Sequence, residues 1–514
     1  MGAVVQILGT AHHALTVFTD AAGYYSATGL LPGFYSLKVT APSFMPATRE
    51  NVGVRPGISL NINVTLSTLL GLMKLGPVRS LPDDDDWKWT LRSVANRPIL
   101  RILDDPADSE KQSHELTGTV SFLAGSVAAG YGTGSDMSAG FRMERSIFAD
   151  GILSFSGNVA YGDTVPAAVL RTTYTRHLDN GSQPSLGLTV HRFAPSDPNL
   201  HNAALQAIAL SGDDDFSLGD VLELKFGSEL QTIQFLGHLN AFRPHASLGA
   251  HLSPNTVLKY EYTTSRPDER SEKGFDSAPA DLSETDPRVS LANFAPRIES
   301  AHHQELSLSR RIGKNSIQAA VFSDRVANPA LTGAGQVTAA GGFLLPDMSS
   351  GTFSYAGPNF SSNGLRVVLQ HKFSSDLTAT LDYALGNVLD LTHPDVAIDQ
   401  AQQWISSERR YAVAAKLSGS VKRTHTRWIA SYRWVNGPAI TPVDMFNASP
   451  GQNDAFLNIF IRQQIPSLGG HLEALIDIRN LLAQGYIPVL GQDGQTVYLV
   501  DSARCVRGGV AFNF

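Results

Sequence analysis

The chain ends in Val506-Arg507-Gly508-Gly509-Val510-Ala511-Phe512-Asn513-Phe514. In an extended strand successive side chains point to opposite faces, so Val506, Gly508, Val510, Phe512 and Phe514 share one face and Arg507, Gly509, Ala511 and Asn513 the other. Such a strand needs two environments, one of them apolar. Working back from it, the same two-residue period recurs over segments of about 10 residues, the length of a tilted bilayer-crossing strand. Leu153, Phe155, Val159 and Tyr161 alternate with Ser154, Ser156, Asn158 and Ala160; Leu258, Tyr260 and Tyr262 with Lys259, Glu261 and Thr263. Leu377, Ala379, Leu381 and Tyr383 alternate with Thr378, Thr380 and Asp382; Trp428, Ala430, Tyr432 and Trp434 with Arg427, Ser431 and Arg433.

Alternation alone also fits a soluble sandwich, whose solvent face is polar. The connections separate the two. Read backward, long links at 480–502, 436–454, 388–407, 326–362 and 266–300 take turns with short ones near 466–469, 421–423, 374, 313 and 253. Short turns on one rim and long loops on the other belong to an outer-membrane barrel, whose rims face the periplasm and the outside. Further back the phase holds if Asp220 to Phe235 is one long strand, with short-side turns at Gly212 to Phe216, Asp179 to Gln183 and Ala149 to Gly151. The expected fold class is all-β: a small N-terminal β-sandwich, then an antiparallel transmembrane β-barrel of about 18 strands over 117–514, an even number that leaves both barrel ends periplasmic.

Composition agrees and narrows the function classes. Charged residues are 17 % of the chain, below the roughly 25 % of ordinary soluble domains. The longest apolar runs, such as Leu69 to Leu75, fall far short of the roughly 20 residues of a membrane-spanning helix, so any span is by strands. A net charge of −7 without a basic run argues against nucleic acid. A single cysteine, Cys505, excludes an intrachain disulfide and a cysteine metal cluster. Met1 to Thr10 has no basic stretch of a secretory signal and runs directly into strand-like Val4 to Leu8.

Residues 1–68 read as a separate small domain. Thr19-Asp20 precedes Gly23-Tyr24-Tyr25; Leu31-Pro32-Gly33-Phe34-Tyr35 leads into the strand Ser36 to Val39; and after a turn at Gly53 to Gly57, Leu60 to Leu66 alternates strictly. These turns and strands resemble the carboxypeptidase-regulatory-like domain, a β-sandwich family without peptidase activity. The family begins with one strand more than Val4 allows, so the expectation is a chain that starts late, with a signal peptide and that strand upstream. In the connector, 69–116, Asp83 to Asp86 followed by Trp87-Lys88-Trp89-Thr90-Leu91-Arg92 reads as a short helix with its acidic residues at the positive N-terminus. Trp87, Trp89, Leu91 and Arg92 make it a candidate partial plug of the periplasmic mouth.

A regulatory-like domain ahead of a barrel, Ile478-Arg479-Asn480-Leu481-Leu482 near the end and the terminal Phe514 together resemble the TonB-dependent receptors, particularly their Oar-like members. The resemblance implies an outer-membrane transport or receptor role, a periplasmic N-terminal domain, an extracellular ligand and an energy-coupling periplasmic protein. The stretch between residue 68 and Thr117 is too short for the family's plug domain, and no TonB box stands out, which sets energised uptake apart from the barrel reading. The terminal strand resembles the signal read by the barrel-assembly machinery, which would fall on Val506, Val510, Phe512 and Phe514. No Gly-x-Ser-x-Gly, His-Glu-x-x-His or phosphate loop is present, so neither enzyme nor cofactor is expected. His302 and His303 lie beside Glu305, but adjacent strand residues face opposite ways and would not share a metal. The competing expectation is a structural or surface-interaction protein with a closed lumen and partner-binding loops; an outer-membrane hydrolase would need a Ser/His pair on the barrel wall.

Overall fold

In a computed structural model of the chain, the described residues are most of 3–64 and most of 116–514. Residues 65–115, and with them the helix expected at 84–94, lie outside the described residues, as do segments such as 194–204, 266–287 and 447–456. The chain divides into an N-terminal unit and a barrel unit.

The N-terminal unit holds β1 (Val4–Gly9), β2 (Ala14–Phe18), β3 (Gly33–Thr40) and β4 (Ala47–Val54) in one antiparallel sheet of order β2-β1-β3-β4. Val5, Ile7, Leu37 and Val39 alternate onto one face and are buried; each contributes roughly 1.5–3 kcal/mol by leaving water. The alternation of Leu60 to Leu66 predicts a closing strand. Its described part, 60–64, joins no ladder; Ile62 and Val64 fold onto the sheet core as coil. The carbonyls a ladder would use go to side chains: Tyr25 Oη donates to Ile62 O at 2.9 Å and Arg49 Nη1 to Asn63 O at 3.3 Å. Burial raises the Tyr25 phenol above its ordinary pKa, the nearby Arg49 opposing it.

The barrel begins with β5 (Thr117–Ser126), β6 (Ser135–Ile147), β7 (Gly151–Ala160), β8 (Ala167–Arg176) and β9 (Ser185–Phe193). It continues through β10 (Leu205–Leu218), β11 (Leu222–Gln234), β12 (His238–Ser253) and β13 (Thr256–Thr263). A hairpin, β14 (Val289–Ala292) and β15 (Ala295–Ile298), interrupts before β16 (Ser300–Ile312) and β17 (Asn315–Ala327). Three loop strands follow, β18 (Ala330–Ala334), β19 (Leu344–Asp347) and β20 (Thr352–Ala356), then wall strands β21 (Phe360–Ser374) and β22 (Leu377–Leu391). After β23 (Asp395–Ala397) and the one-turn helix α1 (Ala401–Trp404) come β24 (Ile405–Val421), β25 (Thr426–Val435), β26 (Asn458–Ile465) and β27 (Leu472–Arg479). Finally β28 (Tyr486–Leu490) and β29 (Thr496–Asp501) precede β30 (Cys505–Asn513).

Eighteen of these strands pair into a closed antiparallel barrel, with β30 laddered to β5. Two glycines let that seam close: a side chain at Gly509 would strike the Phe122 carbonyl, and one at Gly125 the Val506 carbonyl. Turns at 148–150, 219–221, 254–255, 313–314 and 375–376 lie on one rim, and the long loops 264–299, 328–359, 392–404, 436–457 and 480–504 on the other. The predicted phase therefore holds, with one correction. Gly212 to Phe216 is not a turn but strand, and the chain reverses at 219–221. Cross-strand partners override the turn propensity of the three aspartates: Asp213 meets His245 at 2.6 Å, Asp215 meets Lys225 at 3.3 Å, and Asp214 accepts the Ser182 hydroxyl at 2.7 Å.

The two faces of the wall are inverted relative to a soluble protein. Leu306, Leu308, Val321, Leu369, Leu381, Leu417 and Trp434 stand exposed on the outside, Val321 at 53 %. Arg366, Asp324, Gln318, Glu473 and Arg507 are buried inside, Arg366 at 1 %. Water would penalise that outer band, and hydrocarbon would accept it. This is the architecture of an outer-membrane barrel.

Candidate functional site

The long-loop rim carries a second sheet of six strands, in order β19-β20-β18-β28-β29-β23. Its strands come from three different loops. β18 and β28 pair although β22, β24, β25 and β26 separate their parent strands along the wall, and β23 from the loop between β22 and β24 pairs with β29. The sheet has its own apolar core, including Leu331, Leu344, Phe353, Tyr355, Leu490 and Val497. Burial raises the Tyr355 phenol strongly above its ordinary pKa.

Hairpin β14–β15 extends this cap to the far wall. Val289 and Leu291 pack with Ala207, Ile233 and Phe235 at the loop ends of β10 and β11, and with Leu345 of β19. The mouth is thus bridged by loop structure packed against the barrel wall.

Beneath the cap, the loop after β25 folds into the lumen. Ile440 N–H donates to Leu389 O at 2.8 Å and Leu389 N–H to Thr441 Oγ1 at 2.9 Å, which fastens the loop along the end of β22. The loop then delivers Asp444, Met445 and Phe446 to the inner wall, all buried. Two-residue alternation puts His303 and Glu305 of β16, Asp324 of β17, Arg366 of β21 and Asp382 of β22 on that wall. His303 and Asp324 are opposite one another in register, and His303 Nδ1 lies 2.6 Å from Asp324 Oδ1. Arg366 donates Nη2 to Glu305 Oε1 at 3.0 Å and Nη1 to Asp444 Oδ2 at 2.8 Å. The Phe446 ring stacks on His303 with centroids 4.2 Å apart. Arg366 is therefore the clasp between wall and loop, and His303 with Phe446 is the second contact.

Charge continues around the lumen in paired form. Arg410 meets Asp390 at 3.0 Å, Arg462 meets Glu473 at 2.6 Å, Arg507 and Arg479 share Asp477, and Lys259 meets Glu261 at 2.8 Å. An inner surface of both signs tolerates water and polar solute. His303 and His302 do face opposite ways, His303 buried and His302 exposed. His303 has Nδ1 on Asp324 and Nε2 3.7 Å from Glu305, and among the described residues no serine hydroxyl bonds either nitrogen.

Of the sequence-selected residues, Val506 and Val510 stand exposed on the outer face, Phe512 is half-buried with its ring 6.1 Å from that of His471, and Phe514 follows β30 half-buried. Trp87, Trp89, Leu91 and Arg92 lie outside the described residues. The inward loop was not foreseen. Its trace in the sequence is Pro442-Val443-Asp444-Met445-Phe446, an apolar run with one acid in a long loop that water would otherwise surround. If Phe514 completes the assembly signal, deleting it lowers the heat-modifiable, folded barrel several-fold in outer-membrane fractions of cells supplied with a signal peptide fused to the chain. Equal yield would remove that role.

Residues 1–67 match the carboxypeptidase regulatory-like domain. No curated protein matches the chain. Among solved structures, it is similar to a mutant ferric enterobactin receptor of Pseudomonas aeruginosa, with a TM-score of 0.38 and 11 % identity over 79 % of this chain and 81 % of that one. It is also similar to the unliganded ferric citrate transporter FecA, with a TM-score of 0.40 and 8 % identity over 78 % of this chain and 79 % of that one. The Pseudomonas aeruginosa protein OccK11 gives a TM-score of 0.37 and 11 % identity over 78 % of this chain and 96 % of that one.

Proposed function

We propose that this chain is an outer-membrane transport or receptor barrel, not an enzyme, through which a polar solute passes only when the cap or the loop at 436–446 moves. One observation carries the reading: a closed wall of 18 strands, apolar outside and charged inside, of a size that leaves an aqueous channel unless something fills it. An extracellular ligand meets the cap first, and its recognition there is the natural trigger for opening. The N-terminal domain is then periplasmic, since β5 enters the barrel from the short-turn rim. An energy-coupling periplasmic protein would be needed only if solute moves against its gradient.

The cap's own apolar core favours a second reading, a surface-interaction protein whose lumen stays shut. Conductance separates the two. Purified barrel in planar bilayers is expected to show small, intermittent openings. Silence under all voltages, together with silence after the cap is removed, would leave the surface-interaction reading standing.

A further inference from the structure

On the long-loop side, the apolar band of the outer face ends in aromatic residues. The Tyr383 and Tyr411 rings lie 6.2 Å apart, and Tyr411 meets Trp434 edge-on at 5.5 Å. Aromatic rings of this kind sit where hydrocarbon gives way to headgroups. Beyond them, below outward residues such as Leu389 and Leu391 that the cap core buries, stands a band of polar residues on neighbouring strands. His302 pairs in register with Arg325, and Arg325 with Ser361. Asn387 Nδ2 donates to the Ser361 carbonyl at 3.1 Å, and Asn387 pairs in register with Arg409.

Arg325 and Arg409 are exposed, and among the described residues neither guanidinium has an ion pair or hydrogen bond. The outward positions of β16, β17, β21, β22 and β24 hold no Asp or Glu, in a chain with 47 acidic and 40 basic residues. A carboxylate-free row with two unpaired guanidiniums at a headgroup level fits a doubly phosphorylated ligand, because the guanidinium fork matches phosphate oxygens two at a time. Three strand spacings of about 4.8 Å separate β17 from β24 and the registers step two residues along the strand, so the backbones at the two arginines stand about 16 Å apart along the wall, a span their side chains can shorten. A disaccharide phosphorylated at both ends has that reach; a phospholipid headgroup carries one phosphate.

We propose that this row binds the phosphorylated disaccharide headgroup of the outer-leaflet glycolipid, with Arg325 and His302 on one phosphate and Arg409 on the other. The proposal rests on the outer-membrane reading, which fractionation and heat-modifiability test separately. Folded, detergent-purified barrel is mixed with diphosphoryl lipid A, monophosphoryl lipid A, phosphatidylglycerol or inorganic phosphate, and retained ligand is read by native mass spectrometry. Diphosphoryl lipid A is expected to be retained about tenfold better than the monophosphoryl form, one lost phosphate contact being worth about 1.4 kcal/mol. The R325A/R409A double variant should lose that preference, and R310A, which removes an exposed arginine of the same strand face at the opposite rim, should keep it. Equal retention of phosphatidylglycerol, equal retention of both lipid A forms by the wild type, or an unchanged double variant of intact heat-modifiability would each overturn the proposal.

Discussion

Replacing hairpin 289–298 by a short Gly-Ser linker is expected to convert small, intermittent openings into a steady conductance several-fold larger. Among the described residues the hairpin's strands ladder only with each other, so its removal breaks no ladder of the wall. What it contributes is the bridge. Its turn, Asn293-Phe294, holds both residues in the left-handed region, φ 52° and 62°, as a two-residue hairpin of matching twist requires. That conformation costs a phenylalanine energy and persists because the surroundings hold it. Phe294 N–H donates to Gly342 O at 2.7 Å, and a side chain at Gly342 would overlap the Phe294 ring. Val289 and Leu291, 1 % and 5 % exposed, anchor the opposite wall with roughly 1.5–3 kcal/mol each. The loss is large for a lid and small for the barrel. The deletion should therefore leave the heat-modifiability midpoint within a few degrees of wild type while conductance rises; an unchanged conductance would mean that the closure lies elsewhere, in the inward loop first of all.

Arg366→Leu is expected to be the most disruptive single substitution on the inner wall. Arg366 bridges Glu305 and Asp444 at once, and its removal takes a shared guanidinium from two buried carboxylates, a loss that costs about 3–5 kcal/mol. The wall carboxylate cannot leave, but the loop can. Release of 436–446 into the lumen or out of it is the cheapest relief, so opening frequency should rise and a cysteine placed at Phe446 should become accessible to a membrane-impermeant thiol reagent. Asp444→Asn should do less, because Arg366 keeps Glu305. Adding Asp444→Asn to Arg366→Leu should restore part of the closed behaviour by removing one of the two buried charges that lost the Arg366 guanidinium. A double variant as open as the single one would show that the ion pair is not what holds the loop.

Much of this architecture is written locally in the chain. A strand between lipid and lumen must alternate at every second residue, and a barrel between two compartments must alternate short and long connections. Both constraints act on neighbouring residues, so Val506 to Phe514, Leu377 to Tyr383 and the ordered turns already announced an 18-strand barrel before any contact was known. The same local logic misled where a distant partner overruled it. Asp213 to Asp215 has the composition of a turn, yet His245, Lys225 and Ser182 hold it in a strand. Leu60 to Val64 has the period of a strand, yet Tyr25 and Arg49 take the carbonyls that a ladder would need.

Only the tertiary structure decided what occupies the mouth and lumen. Arg366 and Asp444 are 78 residues apart, His303 and Asp324 are 21 apart, and the cap sheet is assembled from three loops. An inward arginine reads the same whether it lines open water or grips a loop, since alternation reports the face of a residue and not its partner. Once the wall closes, loops that are remote in sequence are brought to one rim and must bury their apolar residues against each other. That geometric consequence of closure, which no single segment encodes, turns a barrel pattern into a capped barrel.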